Sequence, residues 1–182
     1  YRNVSINNSL FYQNSADEGA GVYLYSSNES YLDAYIDNSF FVQNTGDHNV
    51  GLRVAGNVSC GVYRGIFAGN QAQAYGGGAG FSSYSNAWFD HSLFVGNQAG
   101  LNGGDYNSGA VSVWSYSYAD FYFCTFANNS ASFGSAVTSG MGAYAYVYGS
   151  IVWNNPGANS LAAVNWDGIG SSMYVSNSDI EN

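Results

Sequence analysis

Few side chains in this chain are equipped for acid–base, nucleophilic or metal chemistry, so their spacing decides what they can do together. Asp37 and Asp90 each stand seven residues before an Asn, Asn44 and Asn97, that closes a recurring segment. Equivalent positions of a repeat share a column. These two are two repeats apart, which strand stacking turns into about 10 Å. That is the loose limit for two carboxylates acting as general acid and general base in an inverting glycosidase. The other reading of the same positions is a pair of solvated acids on an outer face. Arg64, at the edge of that face, is the one basic side chain near it. His91 follows Asp90 and would make an acid–base pair with it, but no nucleophile accompanies them. His48 lies in a different repeat and a different slot, and no Cys/His spacing matches a zinc site. Both histidines therefore read as structural or surface residues, and no metal or cofactor is expected. Cys60 and Cys124 fall in different interior columns about two repeats apart. That separation exceeds disulfide reach, and both read as buried, inert thiols.

The repeat that carries these residues is NSLFYQN (8–14), NSFFVQN (38–44), RGIFAGN (64–70), HSLFVGN (91–97), FCTFANN (123–129), GSIVWNN (149–155) and a truncated NSDIEN (177–182). Its closing residues are Asn14, Asn44, Asn70, Asn97, Asn129 and Asn155, at spacings of 26 to 32 residues. A fixed local motif at irregular spacing confines insertions to loops. Ten residues before each Asn stand Val4, Ala34, Cys60, Ala87, Ala119 and Ala145; eight before stand Ile6, Ile36, Val62, Phe89, Phe121 and Val147. Three before stand Phe11, Phe41, Phe67, Phe94 and Phe126, with Val152 in the last full copy. Alternation at period two marks strands. After each Asn comes a small-residue element: GAGV (19–22), NVGL (49–52), GAGF (78–81), SGAV (108–111), GSAV (134–137) and LAAV (161–164). It reads as a second strand direction entered through a tight corner. With 24 Gly and no lasting 3.6-residue stripe, helix is not expected.

One such repeat cannot bury its own apolar face, whereas stacked repeats make continuous interior columns. The expectation is an all-β protein, a parallel β-solenoid of about seven coils forming a single domain over residues 1–182. The Phe residues three before each Asn form a core column. The six Asn form an amide ladder from coil to coil. The outward slots of the first strand hold Tyr35, Tyr63, Trp88, Tyr122, Tyr146, Tyr148 and Tyr174. These seven make an aromatic strip along the rod, which would stack sugar rings or a neighbouring rod. Alternatively they are strand-favouring residues that stack on one another.

Composition narrows the function classes. Charged residues are 8% and net charge is −9, with no Lys and only Arg2, Arg53 and Arg64. Three scattered arginines cannot build a phosphate-binding patch, so nucleic acid is excluded as a partner and an anionic membrane surface is disfavoured. No apolar run approaches the length of a membrane helix. A chain rich in Tyr, Asn, Ser and Gly suits an extracellular or cell-surface setting.

The FxxN segments together with the degraded GGAI-like elements resemble the repeats of polymorphic outer membrane proteins, found in passenger domains of surface adhesins. More broadly the chain is similar to pectin-lyase-like right-handed β-helices. The resemblance implies a right-handed solenoid, and the crossover rule for parallel strands points the same way. It also implies where an active site would lie, because enzymes of that fold carry acidic clusters on one sheet face. Here that face holds only the Asp37 and Asp90 column and its neighbours. The ends carry no amphipathic helix or charged run to cap them, which suits a stalk segment or a subunit stacking end to end. The reading is a non-enzymatic extracellular structural or interaction protein, as stalk, filament subunit or adhesin, with end-to-end or lateral self-association. The alternative is a polysaccharide-binding or polysaccharide-cleaving module. An ice-binding solenoid would want regular Thr arrays, and only Thr45, Thr125 and Thr138 are present.

Overall fold

The structure is a computed structural model that describes residues 2–27, 30–103, 107–165 and 168–181. Every strand pairing is parallel, and no helix occurs among the described residues. The chain passes in turn through three sheets. The first stacks Arg2–Asn7, Leu32–Asp37, Val58–Tyr63, Asn86–Asp90, Tyr118–Tyr122, Tyr144–Tyr148 and Ser172–Ser176 in chain order. The second stacks the three-residue strands from Leu10–Tyr12 to Ile151–Trp153, ending at Asp179–Ile180. The third holds six strands, from Val22–Ser26 to Asn159–Ala163. With two sheets of seven strands and one of six, the chain closes about six turns of a β-solenoid rather than seven.

The first bend explains how short strands stay in phase. Asn8, Asn38, Arg64, His91, Phe123, Gly149 and Asn177 all have φ between 46° and 58°. Only Gly, and less readily Asn, adopts this region without strain, so Arg64, His91 and Phe123 are held there by the coils on either side. The following residue turns inward. Oγ of Ser39, Ser92, Ser150 and Ser178 accepts a backbone N–H from the preceding coil at 3.0–3.3 Å. The second bend repeats the device: Gln13, Gln43, Gly69, Gly96, Asn128 and Asn154 have φ of 49–63°, and the motif Asn comes next.

Those Asn side chains form a continuous ladder. Each Nδ2 donates to the Oδ1 of the next Asn, from Asn14 through Asn155, at 2.9–3.0 Å. The same Oδ1 accepts the preceding Asn's backbone N–H at 2.9–3.1 Å. From Asn44 onward, Nδ2 also donates to a carbonyl of the previous coil: Phe11, Phe41, Phe67, Phe94 and Phe126 in turn. A carboxamide can do all of this at once because it carries two donors and two acceptor sites. Asn44, Asn70, Asn97 and Asn129 are fully buried, and their polar atoms are satisfied without water.

Inside the ladder lies the aromatic column. The rings of Phe11, Phe41, Phe67, Phe94 and Phe126 stack at centroid distances of 4.6–5.0 Å with interplanar angles of 2–14°. Phe89 and Phe121 of the first sheet meet them edge-on at 5.3–6.3 Å. Cys60 sits in the Ala34–Ala87 column of the first sheet and Cys124 at the bend. Both are free thiols, and burial pushes each pKa up to about 12.

The third sheet corrects the alignment of the small-residue element. Val22, Leu52, Ala79, Val111, Val137 and Leu161 share one column, so Phe81 stands two residues further on, beside Val54 and Val113. The strand period is two, so an offset of two keeps Phe81 inward and leaves no trace in the hydrophobic pattern. In the last copy Leu161, not Val164, takes the place of Val137.

Candidate functional site

Two regions of the surface carry side chains that can do more than hold the fold. The first is the outer face of the first sheet. Strand register places Tyr35, Gly61, Trp88, Asp120, Tyr146 and Tyr174 in one column and Asp37, Tyr63, Asp90, Tyr122 and Tyr148 in the next. Gly61 gives Trp88 its place: a Cβ there would lie 2.6 Å from the indole, so the ring lies across the glycine. Its Nε1 donates to Tyr63 Oη at 2.8 Å, and Tyr63 packs on Tyr35 at 5.0 Å. Further along, Tyr122, Tyr146 and Tyr148 pack together at 6.1–6.3 Å. Asp90 and Asp120 stand between these two groups, so the predicted strip is two aromatic clusters divided by an acidic step. A third outward column adds Tyr118 and Tyr144, stacked at 5.0 Å and 11°. Its slot, eleven residues before the Asn, holds Asp33, Ser59 and Asn86 in earlier coils, which hides the aromatic pair from a slot-by-slot reading.

Asp37, Asp90 and Asp120 on this face already have partners. Asp37 and Asp90 are two strands apart in the same column, with Tyr63 between them. Asp37 is held by Arg64 through Nε at 3.0 Å and through Nη2, and this pairing raises the guanidinium pKa. Asp90 Oδ1 meets His91 Nδ1 at 2.8 Å. Asp120 is half-buried, and desolvation raises its pKa, opposed by a hydrogen bond from Tyr122. The arrangement gives Asp37, Asp90 and Asp120 each its own neighbour rather than presenting two of them across an open gap.

The second region lies on the outer face of the third sheet. After the Asn, each coil crosses a short corner where Thr45–His48 pairs with Gln71–Tyr75, extended by bridges from Ser15, Glu18 and Gln98. A small core of Val50, Ala72 and Ala99 anchors this corner. It brings His48 and Tyr75 over the sheet, where they border a concave site of about 340 Å³ together with Glu18, Asn49, Arg53, Ser112 and Trp114. The His48 and Tyr75 rings are 5.4 Å apart, and Tyr75 and Trp114 are 6.4 Å apart.

Glycine again makes the room. Gly80 lies between Arg53 and Ser112 in register, and a Cβ on it would collide with the Asn49 carboxamide. Asn49 therefore lies across the strand with φ of +50°, and its Oδ1 accepts from Ser112 Oγ at 2.6 Å. Arg53 packs over Tyr23, with Cζ 5.3 Å from the ring centre. Its Nε is 3.0 Å from Glu18 Oε2, but off the N–H axis, so Nε makes no hydrogen bond. This contact holds the guanidinium by charge rather than by a directed bond.

Sequence reasoning missed this second region. His48 was expected to be a lone residue and Arg53 part of a scattered trio. The usable signal was Asn49, the residue that replaces the first Gly of the small-residue element in the second copy. No cluster of three or more His, Cys, Asp or Glu suited to a metal occurs among the described residues. No helix among the described residues is long and apolar enough to cross a membrane. No protein-family model, curated protein or solved structure matches the chain.

Proposed function

We propose that this chain is a non-enzymatic contact surface working outside the cell, a β-solenoid of the stalk, filament or adhesin kind. Under this reading it is right-handed and belongs with the pectin-lyase-like helices whose FxxN repeats it resembles. The observation that carries the reading is the outer face of the first sheet. Its aromatic rings gather into two clusters along the sheet, Trp88 is laid flat over Gly61, and Asp37, Asp90 and Asp120 are each engaged by a neighbour. Tyr35, Tyr118, Tyr144 and Tyr174 are exposed and the rings between them partly so, and an aromatic face of this kind favours contact with a partner over solvation. Carboxylates tied to Arg64 and His91 are ill placed to hand protons to a substrate. The partner is a second solenoid lying alongside or a surface ligand of the same flat shape.

The test is electron microscopy and mass measurement of the protein beside its Trp88→Ala and Tyr146→Ser variants. Assemblies in the parent that dissolve in the variants support self-association through the strip. A monodisperse monomer that also binds nothing on a glycan array overturns the reading.

A second reading, a polysaccharide-binding face, is favoured by Tyr118 and Tyr144, exposed and stacked on successive coils, since aromatic rings pack against the apolar C–H faces of sugars. Binding of an extended glycan that is lost in Trp88→Ala, with no product released, supports it; release of reducing ends or unsaturated ends would make the face catalytic.

A further inference from the structure

The concave site on the third sheet is independent of the aromatic strip, and its polar groups are not used up by the fold. Asn49 is 7% exposed. Its Oδ1 is fixed by Ser112 Oγ at 2.6 Å, while its Nδ2 has no protein partner among the described residues. Nδ2 is not among the buried unpartnered atoms, so it opens onto the site as a fixed donor that a ligand acceptor can take in place of water. The Arg53 side chain is 17% exposed and shares its charge with Glu18. Its two terminal nitrogens make no hydrogen bond to protein among the described residues. Tyr75 and Trp114 stand on the same site, 6.4 Å apart and tilted by 57°, with His48 beside Tyr75.

We propose that this site binds a single uncharged pyranose ring. The volume, about 340 Å³, lies at the small end of ligand sites and fits one ring rather than a chain. A hexopyranose has an apolar C–H face that packs on an aromatic ring, and a rim of hydroxyls that both donate and accept. The site offers the matching set: the faces of Tyr75 and Trp114, donors on Arg53 and Asn49, and an acceptor on Glu18. Two features select against a charged ligand. Glu18 balances Arg53 at 3.0 Å, so a carboxylate gains little there. The chain as a whole carries a net charge of −9, which repels anions. A compact cation is disfavoured by Arg53 itself.

Saturation-transfer NMR on the intact chain tests the proposal, using methyl glucopyranoside, methyl galactopyranoside and methyl mannopyranoside, with glucuronate as the charged comparator. Binding of at least one neutral glycoside in the millimolar range is expected, with the Asn49 side-chain amide resonances shifting as it saturates. Glu18→Gln and Arg53→Gln each remove one charge-assisted hydrogen-bond partner and should weaken binding about tenfold to a hundredfold. Glu18 is the more exposed of the pair, so its variant keeps the test usable if Arg53→Gln does not fold. Trp88→Ala should leave this binding unchanged, which separates the site from the strip. Binding of glucuronate alone, no saturable binding of any glycoside, or binding untouched by both pocket variants would each overturn the assignment.

Discussion

Removing one member of the amide ladder tests the fold at the point where it depends most on a single residue type. In Asn97→Ala four hydrogen bonds disappear. Oδ1 no longer accepts from Asn70 N (3.1 Å) and Asn70 Nδ2 (2.9 Å), and Nδ2 no longer donates to Phe67 O and Asn129 Oδ1, both at 2.9 Å. The neighbours recover in part. Asn129 Oδ1 still accepts from Asn97 N at 3.0 Å, and Asn70 Nδ2 still donates to Phe41 O at 2.9 Å. The backbone N–H of Asn70 has no second acceptor, and Asn70 is 0% exposed. At about 1 kcal/mol for each lost bond and somewhat more for the orphaned donor, the loss is about 4–5 kcal/mol. Asn14→Ala is the internal control. Asn14 is exposed, and its side chain makes one ladder bond, to Asn44 Oδ1 at 3.0 Å, so its loss is about 1 kcal/mol or less. Urea unfolding followed by far-UV circular dichroism measures both. Stacked coils contact only their neighbours, so a gap at coil four should also broaden the transition of the Asn97 variant as the coils on either side uncouple. Equal losses for the two variants, or a loss below about 1 kcal/mol for Asn97→Ala, would refute the view that buried, doubly satisfied carboxamides hold the coils together.

Other measurements probe the core, the thiols and the outer face. Phe94 is fully buried between Phe67 at 4.7 Å and Phe126 at 4.9 Å, so Phe94→Ala should cost about 3–5 kcal/mol in the same urea assay. Cys60 and Cys124, with pKa values pushed up to about 12 by burial, should resist thiol-specific labelling in the folded protein at mildly alkaline pH and react only once urea unfolds it. Labelling of either at native speed would place it at the surface. Asp120 has a folded pKa raised above its ordinary 3.8 by desolvation. A raised carboxyl pKa means the folded state prefers the proton, so its effect is a loss of stability that sets in as pH rises above the unfolded value and is complete above the folded one. Asp120→Asn should remove that part of the pH dependence and stabilise the protein at neutral pH; an unchanged pH profile would show that the carboxylate is solvated.

The architecture was legible because the same few slots recur at every coil. Asn14 to Asn155, the Phe column and the alternating Val, Ala and Ile slots all follow from period two on a stacked strand, and register places them where the spacing said. The Ser ladder at the first bend was also present in the sequence, as Ser9, Ser39, Ser92 and Ser150 five residues before four of the six Asn, with Gly65 and Cys124 in the other two. Its chemistry emerges only when coils are stacked, because Oγ of Ser39, Ser92 and Ser150 accepts a backbone N–H from the preceding coil. Offsets of two residues were invisible for the same reason that the strands were visible: Phe81 stays inward at either alignment.

The site on the third sheet was hidden for a different reason. Its parts come from four successive coils: Glu18 from the first, His48, Asn49 and Arg53 from the second, Tyr75 from the third and Trp114 from the fourth. Glu18, His48 and Tyr75 do share a column, but each coil puts a different residue type there, so the repeat pattern does not reveal them. A repeat is legible where each coil does the same thing, and in a solenoid the residues that differ from coil to coil are the ones free to recognise something. Asn49 shows both halves of that rule. It breaks the small-residue element at one coil, at the cost of a positive φ for a non-glycine residue. In return it lies over Gly80, where the other coils place nothing comparable, with its carbonyl pinned by Ser112 and its nitrogen left facing a cavity. Departures from a repeat that the stack then builds around are where function is to be sought in this fold.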